Sequence, residues 1–236
     1  MDPQAEGGGD VNFVRDALAW IVDPTNLHGP ESWPVHLLQH LGYSLLAVAI
    51  ASAIAVPLGY FVGHTGRGRN LAVGLSGAAR ALPSLGLVTL FGLWIGVGLG
   101  APMIALVLLA IPSVLAGAYS GIEAVNPATV DAARAQGMTE WQVLAQVEAP
   151  LGFPLLLGGL RSAMLQVVST ATLAAYVGAG GLGRDLFLGL KTQDYPQMLA
   201  ASLLVLTLAV ALELAFELTE RLLQHRQTTP DPREIP

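Results

Sequence analysis

Residues 122–154, "IEAVNPATVDAARAQGMTEWQVLAQVEAPLGFP", form the longest polar stretch inside an otherwise apolar sequence. Asn126-Pro127 opens it, and two short helical patterns follow, "ATVDAARAQ" and "TEWQVLAQVEA". Gly137 stands between them, where a glycine can end the first helix in a left-handed conformation. Thr139 can cap the second helix through its hydroxyl. The stretch therefore predicts a short helical hairpin between two apolar segments.

An apolar stripe follows the cap of the second pattern. Val143, Leu144 and Val147 lie at positions i, i+1 and i+4, which share one face of a helix. A short amphipathic hairpin of this kind can lay its apolar side into the groove of a partner protein. It can equally pack on the ends of the chain's own helices, and the pattern alone leaves both interpretations open.

The composition around this loop is that of a membrane protein. Hydrophobic residues make up 53% of the 236 residues, charged residues 12%, and mean hydropathy is +0.58, whereas a soluble domain carries about 25% charge. The sequence has no cysteine, which excludes disulfides, thiolate metal sites and cysteine nucleophiles. The net charge of −6 offers no basic surface for nucleic acid.

Five segments are long and apolar enough to cross a bilayer, since a spanning helix needs about 20 residues. The predicted fold is an all-α integral membrane protein with about five spans at 41–62, 80–99, 102–121, 155–177 and 198–222. The second and third are separated only by a tight "GLGAP" link, so they must run antiparallel.

The predicted organisation has three parts. Residues 1–36 form an extracytoplasmic segment without a signal peptide, in which 11–27 is either an interfacial amphipathic helix or an ordinary soluble helix. Residues 37–223 form the transmembrane domain, with 122–154 as its cytoplasmic loop. The last residues, 224–236, are polar and predicted to be disordered.

Basic residues favour an orientation with the N-terminus outside and the C-terminus inside, because cytoplasmic segments are enriched in Lys and Arg. In that orientation the outer segments hold three basic residues, Arg15, Arg184 and Lys191. The inner segments hold the other eight, namely Arg67, Arg69, Arg80, Arg134, Arg161, Arg221, Arg226 and Arg233.

The stretch "GAGGLG" at 178–183 has the G-x-G-x-x-G spacing of dinucleotide-binding proteins. That site requires a preceding strand and a βαβ unit. Here the glycines follow an apolar helix and no βαβ alternation exists, so a nucleotide site is excluded. Glycines in this position can allow close helix packing or form an unwound segment beside a water-filled path, and both interpretations stay open.

The polar loop resembles the EAA loop of ABC-transporter permeases. The family pattern reads EAA, three residues, G, nine residues, I-x-L-P, and the matching positions here are Asp131, Ala132, Ala133, Gly137, Val147, Ala149 and Pro150. The departures are Asp131 for Glu, Val147 for Ile and Ala149 for Leu. The resemblance implies the type I ABC importer permease fold. It also implies that Asp131, Ala132, Ala133, Gly137 and Pro150 couple the permease to a separate ATPase subunit.

Three further stretches are similar to the osmoprotectant branch of that family: "ALPSLGL" at 81–87, "IPSVLAGAYSGIEAVNP" at 111–127 and "ATLAAYVGAGGLG" at 171–183. The branch imports glycine betaine, choline, carnitine or proline betaine. The resemblance implies a multi-pass subunit of the cell membrane with two ATPase subunits, a second permease copy or paralogue, and an extracytoplasmic binding protein. It implies no cofactor, since ATP is bound by the partner. Methionine-type permeases share the five-helix layout and remain an alternative.

Polar residues within the spans are candidates for a translocation path, because such residues in a membrane are often functional. The candidates are Ser84, Tyr119, Thr170, Thr172, Tyr176, Gly180 and Gly181. Tyr119 could offer its ring to a quaternary ammonium group through a cation–π interaction. Hydroxyls in membrane helices also commonly bond to backbone or to neighbouring helices, so both interpretations are kept.

The remaining charged residues suggest structural roles. Glu217 and Arg221 have the spacing of an i,i+4 ion pair, Glu213 is expected to face protein, and Arg161 is expected to snorkel to the inner interface. The histidines have no spacing typical of a metal site.

An integral-membrane enzyme would need convergent acid, base or metal residues, which the sequence does not supply. A membrane scaffold that uses the loop for docking is a further alternative.

Overall fold

The computed structural model describes residues 12–227, and its regular structure is entirely helical. Two short helices come first, α1 (Phe13–Val22) and α2 (Pro24–Leu27). The remaining α-helices are α3 (Trp33–Thr65), α4 (Arg69–Arg80), α5 (Ser84–Ile95), α6 (Gly100–Glu123), α7 (Pro127–Ala135), α8 (Glu140–Val143), α9 (Ala149–Ala171), α10 (Gly183–Thr192) and α11 (Tyr195–Gln227). A π-helical turn (Leu144–Glu148) precedes α9, and a 3₁₀ segment (Thr172–Val177) follows it.

Four helical stretches are long and apolar enough to span a membrane: 33–65, 100–123, 140–177 and 195–223. Each contains a predicted span and extends beyond it at one end or at both. Helix α3 has 33 residues, about 50 Å at 1.5 Å per residue. It therefore reaches both ends of the molecule.

The predicted second span, 80–99, is not one continuous helix. The chain ends α4 at Arg80 and begins α5 only at Ser84, which leaves α5 with 12 residues. Pro83 explains the break, because proline has no N–H to donate and disfavours a helical conformation in the residue before it. Residues 84–95 thus form a short apolar helix, below the length of the four stretches that could span a membrane.

The core lies where α3, α6 and α9 pack together. These three helices approach closely because glycines lie in both contacts. On α6, Gly117 and Gly121 lie against Gly159 and Gly152 of α9, while glycines of α3 lie against Ala118 and Ile122. Small residues let membrane helices reach backbone contact, which increases their van der Waals attraction.

Helices α1, α10 and α11 pack around this core, with α1 and α10 both lying against α11. The ring of Phe13 meets that of Tyr195 edge-on, with centroids 5.9 Å apart. The indole N–H of Trp33 donates to the Ile21 carbonyl at 3.0 Å. The helix expected within 11–27 is observed as two pieces, because Asp23 caps a new helix at Thr25.

The start of the amphipathic prediction, residue 11, and the first ten residues lie outside the described part of the chain. At the other end, α11 continues to Gln227, beyond the predicted start of the disordered tail at residue 224. The rest of that predicted tail, 228–236, also lies outside the described residues.

Candidate functional site

The polar loop folds as a helical hairpin, which here means residues 126–148. The Asn126 side chain accepts from the Ala128 N–H and caps α7. Gly137 has φ +83° and ends this helix, which confirms the predicted left-handed turn. Thr139 and Gln142 form a reciprocal capping box at the start of α8, which confirms the predicted cap.

The hairpin has a small core of its own. Val125, Val130, Ala133 and Val143 are buried there, with Met138 and Val147 packed against them. The predicted apolar stripe is therefore split. Its Val143 and Val147 stabilise the hairpin itself, whereas Leu144 faces a groove beside α3.

The motif residues occupy different environments on this hairpin. Asp131 and Ala132 lie on its surface, with the Asp131 side chain 76% exposed. Ala133, next in sequence, is buried in the hairpin core, so its side chain contacts the chain's own residues. Gly137 is exposed, and Pro150 lies exposed in the first turn of α9. The surface presented outward is thus formed by Asp131, Ala132 and the Gly137 turn.

An ion pair connects the two helices of the hairpin. Arg134 donates two hydrogen bonds to the Glu140 carboxylate, at 2.9 and 2.8 Å, and lies 3.6 Å from Asp131. The hydrogen bonds to Glu140 raise the pKa of the Arg134 guanidinium above its ordinary value. The bidentate geometry orients α7 relative to α8, which keeps the outward surface in one arrangement.

The glycine-rich loop, residues 178–183, lies at the opposite end of α3. Gly178 and Gly181 have φ values of +82° and +86°. The Gly181 N–H donates to Oε1 of Gln39 at 3.1 Å, and a Cβ at Gly180 would collide with the same Gln39 side chain. The loop follows a 3₁₀ segment, and the part of the chain that the structure describes holds no strand. Gly180 and Gly181 therefore lie packed against α3, at Gln39 and His40.

Two ion pairs that the sequence analysis did not predict accompany this loop. Nδ1 of His36 lies 2.8 Å from Oδ2 of Asp185, and both side chains are buried. Arg184 pairs with Glu31 at 2.9 Å on the surface above them. The signal in the sequence was a histidine at the edge of an apolar helix, but its partner is 149 residues away and no spacing rule connects them.

The candidate path residues do not converge on one place. The hydroxyls of Thr170 and Thr172 donate to carbonyls of their own helical segment, at 2.7 and 2.9 Å. Tyr119 packs partly buried against the α3–α6–α9 core, and Ser84 is the first residue of α5. Tyr176 is more than half exposed, and its ring centroid lies 5.9 Å from that of Phe187.

Arg161 of α9 forms ion pairs with Glu213 and Glu220 of α11. These two carboxylate partners were not predicted from the sequence. The expectation that Arg161 snorkels to the inner interface stays a prediction. The expectation that Glu213 faces protein is confirmed by the same contact. The predicted pair between Glu217 and Arg221 is also confirmed.

Comparison with known proteins shows which protein family this chain is similar to. Residues 55–227 match the family described as "Binding-protein-dependent transport system inner membrane component". The OpuCB permease protein of the glycine betaine/carnitine/choline transport system of Bacillus subtilis is 32% identical over 183 residues, which cover 78% of this chain and 84% of that protein. The carnitine transport permease OpuCB of Listeria monocytogenes is 33% identical, covering 77% and 83%.

The osmoprotectant import permease OsmW of Salmonella typhimurium is 33% identical, covering 74% of this chain and 84% of that protein. Among solved structures, a chain of the inward-facing MetNI methionine ABC transporter matches with a TM-score of 0.71 and 19% identity, covering 81% of this chain and 95% of that chain. A chain of an amino acid ABC transporter with histidines matches with a TM-score of 0.62 and 21% identity, covering 82% and 93%. These matches confirm the predicted type I importer permease fold.

Proposed function

The chain belongs to the family of binding-protein-dependent transport system inner membrane components, and from that premise we propose that it is the permease of an ATP-driven osmoprotectant importer. Its substrates are glycine betaine, choline, carnitine or proline betaine. The observation that carries this substrate class is the identity of 32–33% to permeases of such systems over more than two thirds of each protein. The similarity to methionine and amino acid transporters supports the fold alone, because identity there is 19–21%.

ATP hydrolysis belongs to a partner subunit in this proposal. The sequence contains no G-x-x-x-x-G-K-[ST] stretch, and its single lysine, Lys191, lies in α10. The hairpin is the proposed contact with one ATPase subunit, and the importer has two such subunits. Its exposed Asp131 and Ala132 and the Gly137 turn form the contact surface, Ala133 supports them from within, and Pro150 starts the helix that receives the motion.

The permease is oriented with the hairpin in the cytoplasm and the glycine-rich loop outside, where the binding protein delivers substrate. This orientation agrees with the excess of basic residues on the hairpin side. A second permease, identical or paralogous, completes the path, because one chain has too few crossings to enclose one easily. The path runs past Thr170, Thr172 and Tyr176 towards Gly180 and Gly181, with Ser84 and Tyr119 on facing helices.

Uptake in a host without osmoprotectant systems tests the substrate class. The permease is co-expressed with its neighbouring ATPase and binding-protein genes, and uptake of labelled glycine betaine is measured with unlabelled choline, carnitine or methionine as competitors. We expect saturable uptake that choline or carnitine inhibits and methionine does not. Inhibition by methionine alone would support the methionine-permease alternative. An assembled complex without uptake of any solute would support a scaffold.

A matched pair of variants tests the hairpin contact. Ala132→Trp adds a large side chain to an exposed position on the outward surface, so the hairpin itself stays folded. We expect ATPase co-purification and uptake to fall by about tenfold or more, since a misfit at the centre of an interface costs about 1–3 kcal/mol or more. The control is Ala145→Trp, which is also exposed but is not specified by the motif. Equal effects of both variants would contradict the proposed contact surface.

A further inference from the structure

The hairpin end of α3 carries a histidine placed between two carboxylates of the hairpin. Nδ1 of His64 lies 2.5 Å from Oε2 of Glu148, and its Nε2 lies 3.2 Å from Oε2 of Glu140. Glu140 is also the residue held by Arg134. One continuous chain of polar contacts therefore runs from Glu148 in the π turn to His64 of α3, then to Glu140 of α8 and Arg134 of α7. We call the His64–Glu148–Glu140 contact the latch.

Burial makes the latch costly to open. The Glu148 side chain is 7% exposed and that of His64 is 13% exposed, whereas Glu140 faces solvent. A buried carboxylate is tolerated only when it is paired, and removal of one partner leaves an uncompensated polar group. His64 is the one hydrogen-bond partner of the Glu148 side chain among the residues that the structure describes. Glu148 therefore keeps His64 bound whenever the hairpin keeps its present fold.

The latch joins elements that are far apart in sequence. The hairpin continues directly into α6 at one end and α9 at the other, but 84 positions separate His64 from Glu148. Beside the latch, the surfaces of α3 and of the hairpin leave a gap. An apolar groove of about 530 Å³, lined by Tyr60, Phe61 and Trp141 among others, lies between α3 and the hairpin. The latch is thus the polar bridge between these two surfaces.

We propose that His64 is a positioning residue that makes the hairpin end of α3 move with the hairpin when the ATPase subunits close. Without it, motion of the hairpin reaches α6 and α9 through the chain but reaches α3 only through helix packing in the membrane. The π turn at Leu144–Glu148 lies between α8 and α9. Because helices bend at π turns, a direct contact between the hairpin and α3 would transmit motion that bending at this turn absorbs. This inference rests on the proposed coupling role of the hairpin.

The first experiment compares His64→Ala with Thr65→Ala in the complete complex, with ATPase subunits and binding protein, in proteoliposomes. The Thr65 hydroxyl bonds only to neighbouring backbone, so its removal leaves the latch intact. We expect the His64→Ala complexes that assemble to keep basal ATP hydrolysis, because His64 lies outside the proposed ATPase contact surface. Uptake per ATP and the stimulation of hydrolysis by the binding protein should both fall about fivefold or more, the lower end of typical coupling between sites. Thr65→Ala should match the wild type.

The second experiment restores the bridge covalently. The permease has no cysteine, so His64→Cys with Glu148→Cys creates one reactive pair. A short bis-methanethiosulfonate crosslinker is used, because two side chains in end-to-end contact hold their Cβ atoms farther apart than the roughly 4 Å that a disulfide spans. We expect the uncrosslinked variant to be uncoupled, the crosslinked variant to regain stimulated hydrolysis and uptake, and reductant to remove the gain.

Unchanged uptake per ATP in an assembled His64→Ala complex would overturn the proposal, and so would a crosslink that blocks stimulation. Failure of the wild type to transport any osmoprotectant would refute the substrate class instead. In that case stimulation of ATP hydrolysis by the binding protein still decides the latch, since it requires no knowledge of the solute.

Discussion

At the scale of single residues, the His36–Asp185 pair joins the start of α3 to the first turn of α10. Both side chains are nearly excluded from solvent, and Nε2 of His36 has no hydrogen-bond partner within the described residues. Nδ1 therefore supplies the ring's one side-chain hydrogen bond, since the Glu31 carboxylate, 3.7 Å from Nε2, lies beyond hydrogen-bond distance. Loss of the Asp185 carboxylate would leave both ring nitrogens without a hydrogen bond. An unsatisfied buried group costs more than the hydrogen bond contributes.

Asp185→Ala should lower the free energy of unfolding by about 1–3 kcal/mol, the usual penalty for orphaning a buried polar group. The check is the thermal midpoint of the purified permease in detergent. Arg184→Ala is the control, because this neighbour forms only an exposed ion pair with Glu31, and such pairs contribute about 0–1 kcal/mol. Equal midpoints for the two variants would show that the buried contact adds nothing.

At the scale of elements, backbone contact between α6 and α9 sets the geometry of the core. A Cβ at Gly159 would lie 2.8 Å from Cα of Gly117 and from the Ser113 carbonyl oxygen. Backbone atoms cannot rotate away as a side chain can, so any added carbon must push the helices apart. The adjacent Gly158 has no atom within 4 Å of the corresponding position.

Gly159→Ala should therefore destabilise the permease by about 1–3 kcal/mol, as overpacking of a close-packed core does. Gly158→Ala, one residue along the same helix, should leave stability unchanged or slightly raised, because alanine has the higher helix propensity. The two melting curves, recorded side by side, measure the difference. Similar loss in both variants would mean that the helices do not meet at Gly159.

At the scale of the whole molecule, α11 is the least buried of the long helices and depends on a polar contact with α9. Arg161 connects to Glu213 and Glu220, and both Arg161 and Glu213 lie within apolar stretches. Removal of one partner leaves a charge within the bundle, whereas removal of both leaves an apolar contact. The pair thus determines how the peripheral helix docks.

Arg161→Leu alone and Glu213→Leu alone should each reduce the fraction of monodisperse permease after detergent extraction, by about half or more, since broken pairs in a protein interior are strongly destabilising. The double variant should recover much of the loss, which fluorescence-detected size-exclusion chromatography can follow. Additive losses would indicate that the two residues act independently.

Much of this architecture was predictable from the sequence, and the failures have physical causes. The four long helices follow from runs of apolar residues, which need no partner to be recognised. The Gly137 turn and the Thr139 cap follow from local backbone chemistry. The break at Pro83 was missed because the apolar pattern continues across it. The ion-pair partners of Arg161 were missed because they come from another helix.

The sequence by itself determined the membrane class, the helices, the hairpin and the family motif, because each depends on residues within about twenty positions of one another. Only the tertiary structure decided that Ala133 is buried beneath the hairpin surface, that His36 meets Asp185 and that His64 meets Glu148. These contacts join residues on different elements, up to 149 positions apart. Their pairing is set by how α3, α6 and α9 pack, which no local pattern encodes.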